Sequence, residues 1–230
     1  MNDHIVIVTG ASPLPEHVVA AIPPAAIVLG VDGGLDLALA AGLRPSGLIG
    51  DLDSVSPEGL EWARTNSTVA QHPTDKNQTD TELALAFAAD MNPERLTLVG
   101  GGDRLDHTIA AIGSLAARTL TGIPLLEGWW DGQHLDVLHG PARRTLDLVP
   151  GSTLSLLAIG PPCKAVTIGG VLWPLTDHRL EPVIGLGVSN EVSNPDGDVS
   201  ISLSVGVLTV FDQPRTPAAT IPPTPNETDS

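Results

Sequence analysis

In Gly50-Asp51-Leu52-Asp53-Ser54 two acids stand two residues apart, a spacing that in an extended segment points both carboxylates to one side. Two hard oxygen donors so placed suit Mg²⁺, which is commonly held by one or two carboxylates together with substrate phosphates. A solvated loop with an Asx-turn would use the same residues without chemistry. Asp32 precedes Gly33 and Gly34, which let backbone approach a ligand closely, and is a third candidate acid. In Thr79-Asp80-Thr81-Glu82 the outer pair reads as a capping box, which explains Thr79 and Glu82 and leaves Asp80 for another role. The preceding Asp75-Lys76-Asn77-Gln78 brings a lysine to a helix start whose N–H groups favour phosphate. Gly100-Gly101-Gly102-Asp103-Arg104-Leu105-Asp106-His107 does the same with an arginine. The Arg104 fork can clamp phosphate oxygens, or can spend itself on a surface ion pair with Asp103 or Asp106. His107 reads as a helix-start histidine without acid–base work.

Any one of these motifs is explained as well by turns and caps as by catalysis. Together they follow the carboxyl ends of expected strands, the edge at which open α/β sheets bind ligands. Strands are expected over 5–8, 26–31, 48–49 and 96–99, and helices over 15–22, 35–41, 57–65, 80–89 and 106–118. After about Thr121 the pattern changes to short strands, among them 134–138, 145–148, 153–159, 199–204 and 207–211, broken by Gly and Pro as in a β-sandwich or barrel. The expected architecture is therefore an α/β, parallel-sheet, Rossmann-like catalytic domain over 1–122, then an all-β sandwich over 123–212. Residues 213–230, rich in Pro and Thr with little to bury, are expected to form a disordered tail.

The 230 residues are 42% hydrophobic and carry 27 acids against 11 Lys and Arg, so a core can be built while a nucleic-acid backbone would be repelled. A chain this acidic needs metal ions or a local cation cluster to handle polyphosphate. Cys163 is the single cysteine, which excludes an intrachain disulfide and a Cys-rich zinc site and fits a reducing cytoplasm. No apolar run approaches the ~20 residues of a membrane span, so a cytosolic protein without membrane contact is expected. The P-loop pattern, the dinucleotide fingerprint and the protein-kinase motifs are all missing. An ATP user built this way must hold phosphates through metal and scattered side chains.

Taken in order, Asp32-Gly33-Gly34, Gly50-Asp51-Leu52-Asp53-Ser54, Asp75-Lys76-Asn77-Gln78-Thr79-Asp80, Gly102-Asp103-Arg104-Leu105-Asp106-His107-Thr108 and Ser189-Asn190 resemble the blocks of the thiamine pyrophosphokinase family. The resemblance implies a homodimer with an α/β catalytic domain and a thiamine-binding β-sandwich. It implies that Asp32, Asp51, Asp53 and Asp80 are the catalytic acids, with Asp51, Asp53 and Asp80 holding Mg²⁺. Lys76, Thr79, Arg104 and Asp106 fall in its ATP blocks, and Ser189 and Asn190 in its thiamine-contacting pair. Asn77 departs from the family pattern, which usually has an acid there. Trp129, Trp130 and Trp173 are candidates for the ring that stacks on thiamine, each also suited to a core or interface. The reaction implied is transfer of a diphosphate from Mg-ATP to the thiamine hydroxyl, with release of AMP. Alternatives are a diphosphokinase for a pterin alcohol, a metal-dependent nucleotide-sugar transferase, and a non-catalytic nucleotide or thiamine sensor.

Overall fold

A computed structural model describes residues 4–102 and 104–214. Its first half alternates strands and helices: β1 (His4–Val8), α1 (Glu16–Ala21), β2 (Ile27–Val31), α2 (Gly34–Ala40), β3 (Gly47–Gly50), α3 (Pro57–Asn66), β4 (Thr68–Gln71), α4 (Asp80–Asp90), β5 (Arg95–Gly100) and α5 (Leu105–Ser114). Strands alone follow: β6 (Leu125–Trp130), β7 (Gln133–His139), β8 (Ala142–Asp147), β9 (Thr153–Ala158), β10 (Cys163–Gly169), β11 (Leu175–Leu180), β12 (Gly187–Glu191), β13 (Asp198–Leu203) and β14 (Val207–Asp212). The capping box expected of Thr79 and Glu82 closes the start of α4, and Ser56 accepts the Gly59 N–H at the start of α3.

The strands form two sheets, one of ten in the order β12-β9-β14-β7-β6-β5-β1-β2-β3-β4 and one of four in the order β11-β10-β13-β8. In the large sheet the pairings from β4 to β6 are parallel and those from β6 to β12 antiparallel. The sheet runs unbroken across residues 122 and 123, because β6 pairs with β5 in parallel and with β7 in antiparallel register. Burial explains the two textures. The β1 run His-Ile-Val-Ile-Val is buried at all five positions, as helices on both faces require, whereas in β9 and β13 buried residues alternate with exposed or half-buried ones. Leu85 and Ala88 of α4 pack on one face with Ile5, Ile7 and Leu98, while Val18 and Ala38 cover Val6, Val8 and Val28 on the other. Leu154, Leu156, Leu208 and Val210 face Ile168, Val199 and Ile201 of the small sheet across a second core.

Where the helical cover ends and the small sheet begins, one face of the large sheet carries charge in place of hydrocarbon. Arg95 donates to Glu127 through Nε at 2.9 Å and through a terminal nitrogen at 3.0 Å, and Thr97 donates to the same carboxylate at 2.7 Å. His134 lies 2.7 Å from Asp212 through Nδ1 and 3.8 Å from Glu127 through Nε2, and Arg144 pairs with Asp136. Burial works to keep His134 neutral, but its hydrogen bonds to Asp212 and Glu127 prevail and hold it protonated up to about 10. Three acids, Glu127, Asp136 and Asp212, then face three cations, Arg95, Arg144 and His134. Donor atoms of His134, Asp136 and Asp212 lie within 4.8 Å of one another, but this charge balance leaves no need for a metal.

Two sequence expectations are corrected. The helix expected over 106–118 stops at Ser114 and gives way to a 3₁₀ turn at Arg118–Leu120. Gln213 and Pro214, placed in the tail by the sequence, extend the fold, for Val149 donates its N–H to Gln213 at 3.1 Å and Pro214 bridges to Leu148. The rest of that segment, 215–230, lies outside the described residues. Among the described residues no helix is long and apolar enough to cross a membrane.

Candidate active site

Asp32 follows β2, Asp51 follows β3 and Asp80 opens α4, so three separate elements deliver acids to the carboxyl edge of the parallel strands. One carboxylate oxygen from each lies within 4.8 Å of the other two. The turns that carry them are unusual in backbone. Asp32 has φ +46°, Leu52 φ +69° and Gly50 φ +147°. Asp32 Oδ1 accepts the Leu52 N–H at 3.0 Å, and the Asp32 N–H donates to the Ile49 carbonyl at 3.1 Å, so the turns after β2 and β3 hold each other. A Cβ on Gly50 would meet Asp32 Oδ1 at 1.9 Å, which requires glycine there on both steric and conformational grounds. Gly50→Ala is expected to displace Asp32, lower the melting temperature by several degrees and weaken Mn²⁺ binding measured by calorimetry. Unchanged Mn²⁺ affinity would show that the Asp32 turn is not part of the cation site.

The i, i+2 geometry expected of Asp51 and Asp53 is not formed. With Leu52 in left-handed conformation the segment is not extended, and the Asp53 N–H turns back to Asp51 Oδ1 at 3.2 Å. Asp53 is exposed and its carboxylate is not among the three clustered acids, whose third member is Asp32. Lys76 aims its ammonium into the cluster, 2.9 Å from Asp80 and 3.7 Å from Asp51. Burial raises the Asp32 carboxyl to about 6, with the charges of Asp80, Asp51 and Asp53 adding to the rise against the Leu52 hydrogen bond. The hydrogen bond that Asp51 accepts from Asp53, helped by Lys76, keeps the Asp51 carboxyl below its ordinary range despite some desolvation.

Thr79 is committed to the capping box, its N–H donating to Glu82 at 2.8 Å. Arg104 closes a bidentate pair on Asp106 at 3.1 and 2.6 Å, both residues exposed, and this hydrogen bonding lowers the Asp106 carboxyl to about 2. Asp131 is a partner the sequence did not suggest. Its carboxylate accepts the Gly102 N–H at 2.7 Å and so ties the glycine turn after β5 to the β6–β7 hairpin. The two residues are far apart in sequence and neither belongs to a recognisable motif with the other.

Ser189 and Asn190 lie on β12, at an edge of the large sheet, and point differently. Ser189 has φ +61°, donates its N–H to Ser155 Oγ at 3.0 Å and is exposed at a register shift between Gly187 and Asn190. Asn190 is 6% exposed. Among the tryptophans, Trp130 is buried and donates to Thr108 at 3.3 Å, and Trp129 packs edge-on between His17 at 5.6 Å and His134 at 4.7 Å. Trp173 remains 59% exposed beside Asn190.

Comparison with known proteins bears on the whole arrangement. Residues 20–125 match the thiamin pyrophosphokinase catalytic domain, and residues 143–208 match the thiamin pyrophosphokinase vitamin B1 binding domain. A thiamine pyrophosphokinase of Bacillus subtilis (strain 168) is 25% identical over 190 residues, covering 78% of this chain and 85% of that protein. The solved structure of the Geobacillus thermodenitrificans thiamin pyrophosphokinase superposes with a TM-score of 0.73 at 25% identity, over 94% of this chain and all of the other. That of an Enterococcus faecalis protein of the thiamin pyrophosphokinase family gives 0.74 at 23% identity, over 93% and 100%.

Proposed function

The chain belongs to the thiamin pyrophosphokinase family, and from that premise we propose that it transfers a diphosphate from Mg-ATP to the hydroxyl of thiamine, giving thiamine diphosphate and AMP. The observation that carries the reading is the convergence of Asp32, Asp51 and Asp80 at the strand ends of a catalytic-domain match, on the same sheet that continues into the B1-binding match. Three convergent hard oxygen donors fit Mg²⁺. Asp51 and Asp80 would hold it, with Asp53 near its rim and Asp32 beside it, left for proton transfer. Bound there, the ion would neutralise charge on the transferring phosphates.

The chain's own part is positioning and proton handling. Lys76, already turned toward the cluster, supplies positive charge beside the phosphates, and Arg104 has a planar fork that can exchange Asp106 for phosphate oxygens. The Gly100–Gly102 turn and Thr79 line the nucleotide side. Asp32 is better suited than Asp80 to take the hydroxyl proton. The Leu52 N–H binds its Oδ1, which leaves Oδ2 to take the proton. On the acceptor side Trp173 has its ring free to stack on a cationic heterocycle, whereas Trp129 and Trp130 are held by packing. Ser189, exposed and adjacent in sequence to the Asn190 that pairs with Trp173, offers a hydroxyl.

A homodimer acting in the cytosol belongs to the same reading. Exposed Leu172, Val183, Ile184, Leu186 and Val188 in and around the edge strand β12, with Leu105 and Ile109 on α5, offer apolar surface that a second copy would cover. Incubation with Mg-ATP and either thiamine or a hydroxymethyl-pterin tests the reaction. AMP formed with thiamine only is the expected result. AMP formed with the pterin only would keep the chemistry and replace the acceptor, and ADP or no product with either would overturn diphosphate transfer.

A further inference from the structure

We propose that Asn190 serves the acceptor site as a positioning residue, holding Trp173 through its backbone without touching the acceptor. Asn190 is 6% exposed, and its amide is already in use. Its Oδ1 accepts the Trp173 N–H at 3.1 Å and the Glu191 N–H at 2.9 Å, and its Nδ2 donates to the Trp173 carbonyl at 2.7 Å. An asparagine amide has two acceptor sites and two donors, so three of four are spent, two of them on the N–H and C=O of one residue. That two-way pairing imitates a strand ladder and fixes the Trp173 backbone while leaving the residue 59% exposed.

The neighbouring pairings show why a side chain is needed. Val171 bridges to Val192, and the Leu172 N–H donates to the Glu191 carbonyl at 2.9 Å, so main-chain pairing carries the segment as far as Leu172. Beyond it β12 carries the register shift at Ser189, and the Asn190 amide makes the next pair in place of the backbone. Ser189 and Asn190 are thus adjacent in sequence and separate in work: the first presents a hydroxyl outward, the second anchors the ring.

The inference rests on the acceptor reading of Trp173, and the test separates the two. Asn190→Ala is expected to raise KM for thiamine about tenfold or more, the scale of a lost buried hydrogen-bond set, with KM for ATP unchanged. In the Trp173→Ala background Asn190→Ala should add little, because both act through one ring. Effects that multiply in the double variant would overturn the proposal and place Asn190 on the acceptor itself. The second readout needs no substrate. The Trp173 contribution to fluorescence, taken as the difference from Trp173→Phe with and without the Asn190 change, should shift to the red and become more quenchable by acrylamide in Asn190→Ala. Unmoved emission would also overturn the proposal. A wild-type enzyme inactive on thiamine whose Trp173 emission still responds to Asn190→Ala would defeat the acceptor reading and the site role proposed here, leaving only the pairing. Should Asn190→Ala not fold, Asn190→Asp keeps both N–H contacts and loses only the donation to the Trp173 carbonyl, and it should show the same pattern at smaller amplitude.

Discussion

Asp51→Asn is expected to lower kcat/KM by at least ~100-fold, about 2.7 kcal/mol of transition-state stabilisation, as removal of a charged metal donor should. The fold should survive. Asp51 lies within 4.8 Å of Asp32 and Asp80 through its carboxylate, so neutralising it relieves like-charge repulsion and gives up only the 3.7 Å ion pair with Lys76. These effects oppose each other, and a melting temperature within ~2 °C of wild type follows. The rate of AMP formation against Mg²⁺ concentration, together with calorimetric melting, measures both sides. Asp53→Asn is the control. Its exposed carboxylate stands outside the three-acid group, and the loss of rate should be clearly smaller than for Asp51→Asn. Near-normal turnover of Asp51→Asn at limiting Mg²⁺ would sink the assignment.

The largest effect on stability is expected far from these acids. His134→Gln removes one charge from the buried network and leaves Asp212 and Glu127 without their shared cation, a change that costs about 3–5 kcal/mol in comparable buried pairs. For a chain of this size that corresponds to a fall of roughly 10 °C in melting temperature. The pH dependence identifies the cause. His134 is raised from 6.5 to about 10, so its contribution is complete below pH 6.5 and is lost as the pH rises toward 10. Wild-type stability should therefore decline across that window, and the decline should be shallower in His134→Gln. Asp136, raised to about 6 chiefly by burial, acts at lower pH: the proton it retains in the fold favours folding at acid pH, and that benefit is lost as the pH rises through 6. Its window does not overlap that of His134. Parallel curves for wild type and His134→Gln above pH 7 would mean that the imidazolium is not what the network needs.

The acids were legible because their signals are local. Asp32, Asp51 and Asp80 each stand beside a glycine turn or a helix cap, and short motifs of that kind survive without knowledge of partners. Their mutual geometry was not legible. It depends on Leu52 at φ +69°, a conformation that a leucine rarely adopts and no residue pattern announces. The antiparallel half was harder to read for a related reason. Glu127, His134 and Asp136 sit buried in β6 and β7, so polar residues stand where alternation would place apolar ones, and β6 was not recognised as the strand that joins the two kinds of pairing. The role of Asn190 requires Trp173, 17 residues away, and becomes visible only when both backbone groups of that residue are seen to end on one amide.

The unbroken ten-stranded sheet also limits how this protein can move. Enzymes that wrap two substrates often do so by swinging one lobe against another about a few hinge residues. Here β5, β6 and β7 are joined rung by rung between the two halves, and the charged seam braces the same junction from the side, so rotation there would break main-chain ladders and expose buried ions together. Closure over bound substrates must come from shorter pieces: the turn after β5 and the irregular turns between β4 and α4. Relaxation measurements should then find millisecond exchange in those turns, with the strands between the halves quiet on the same timescale.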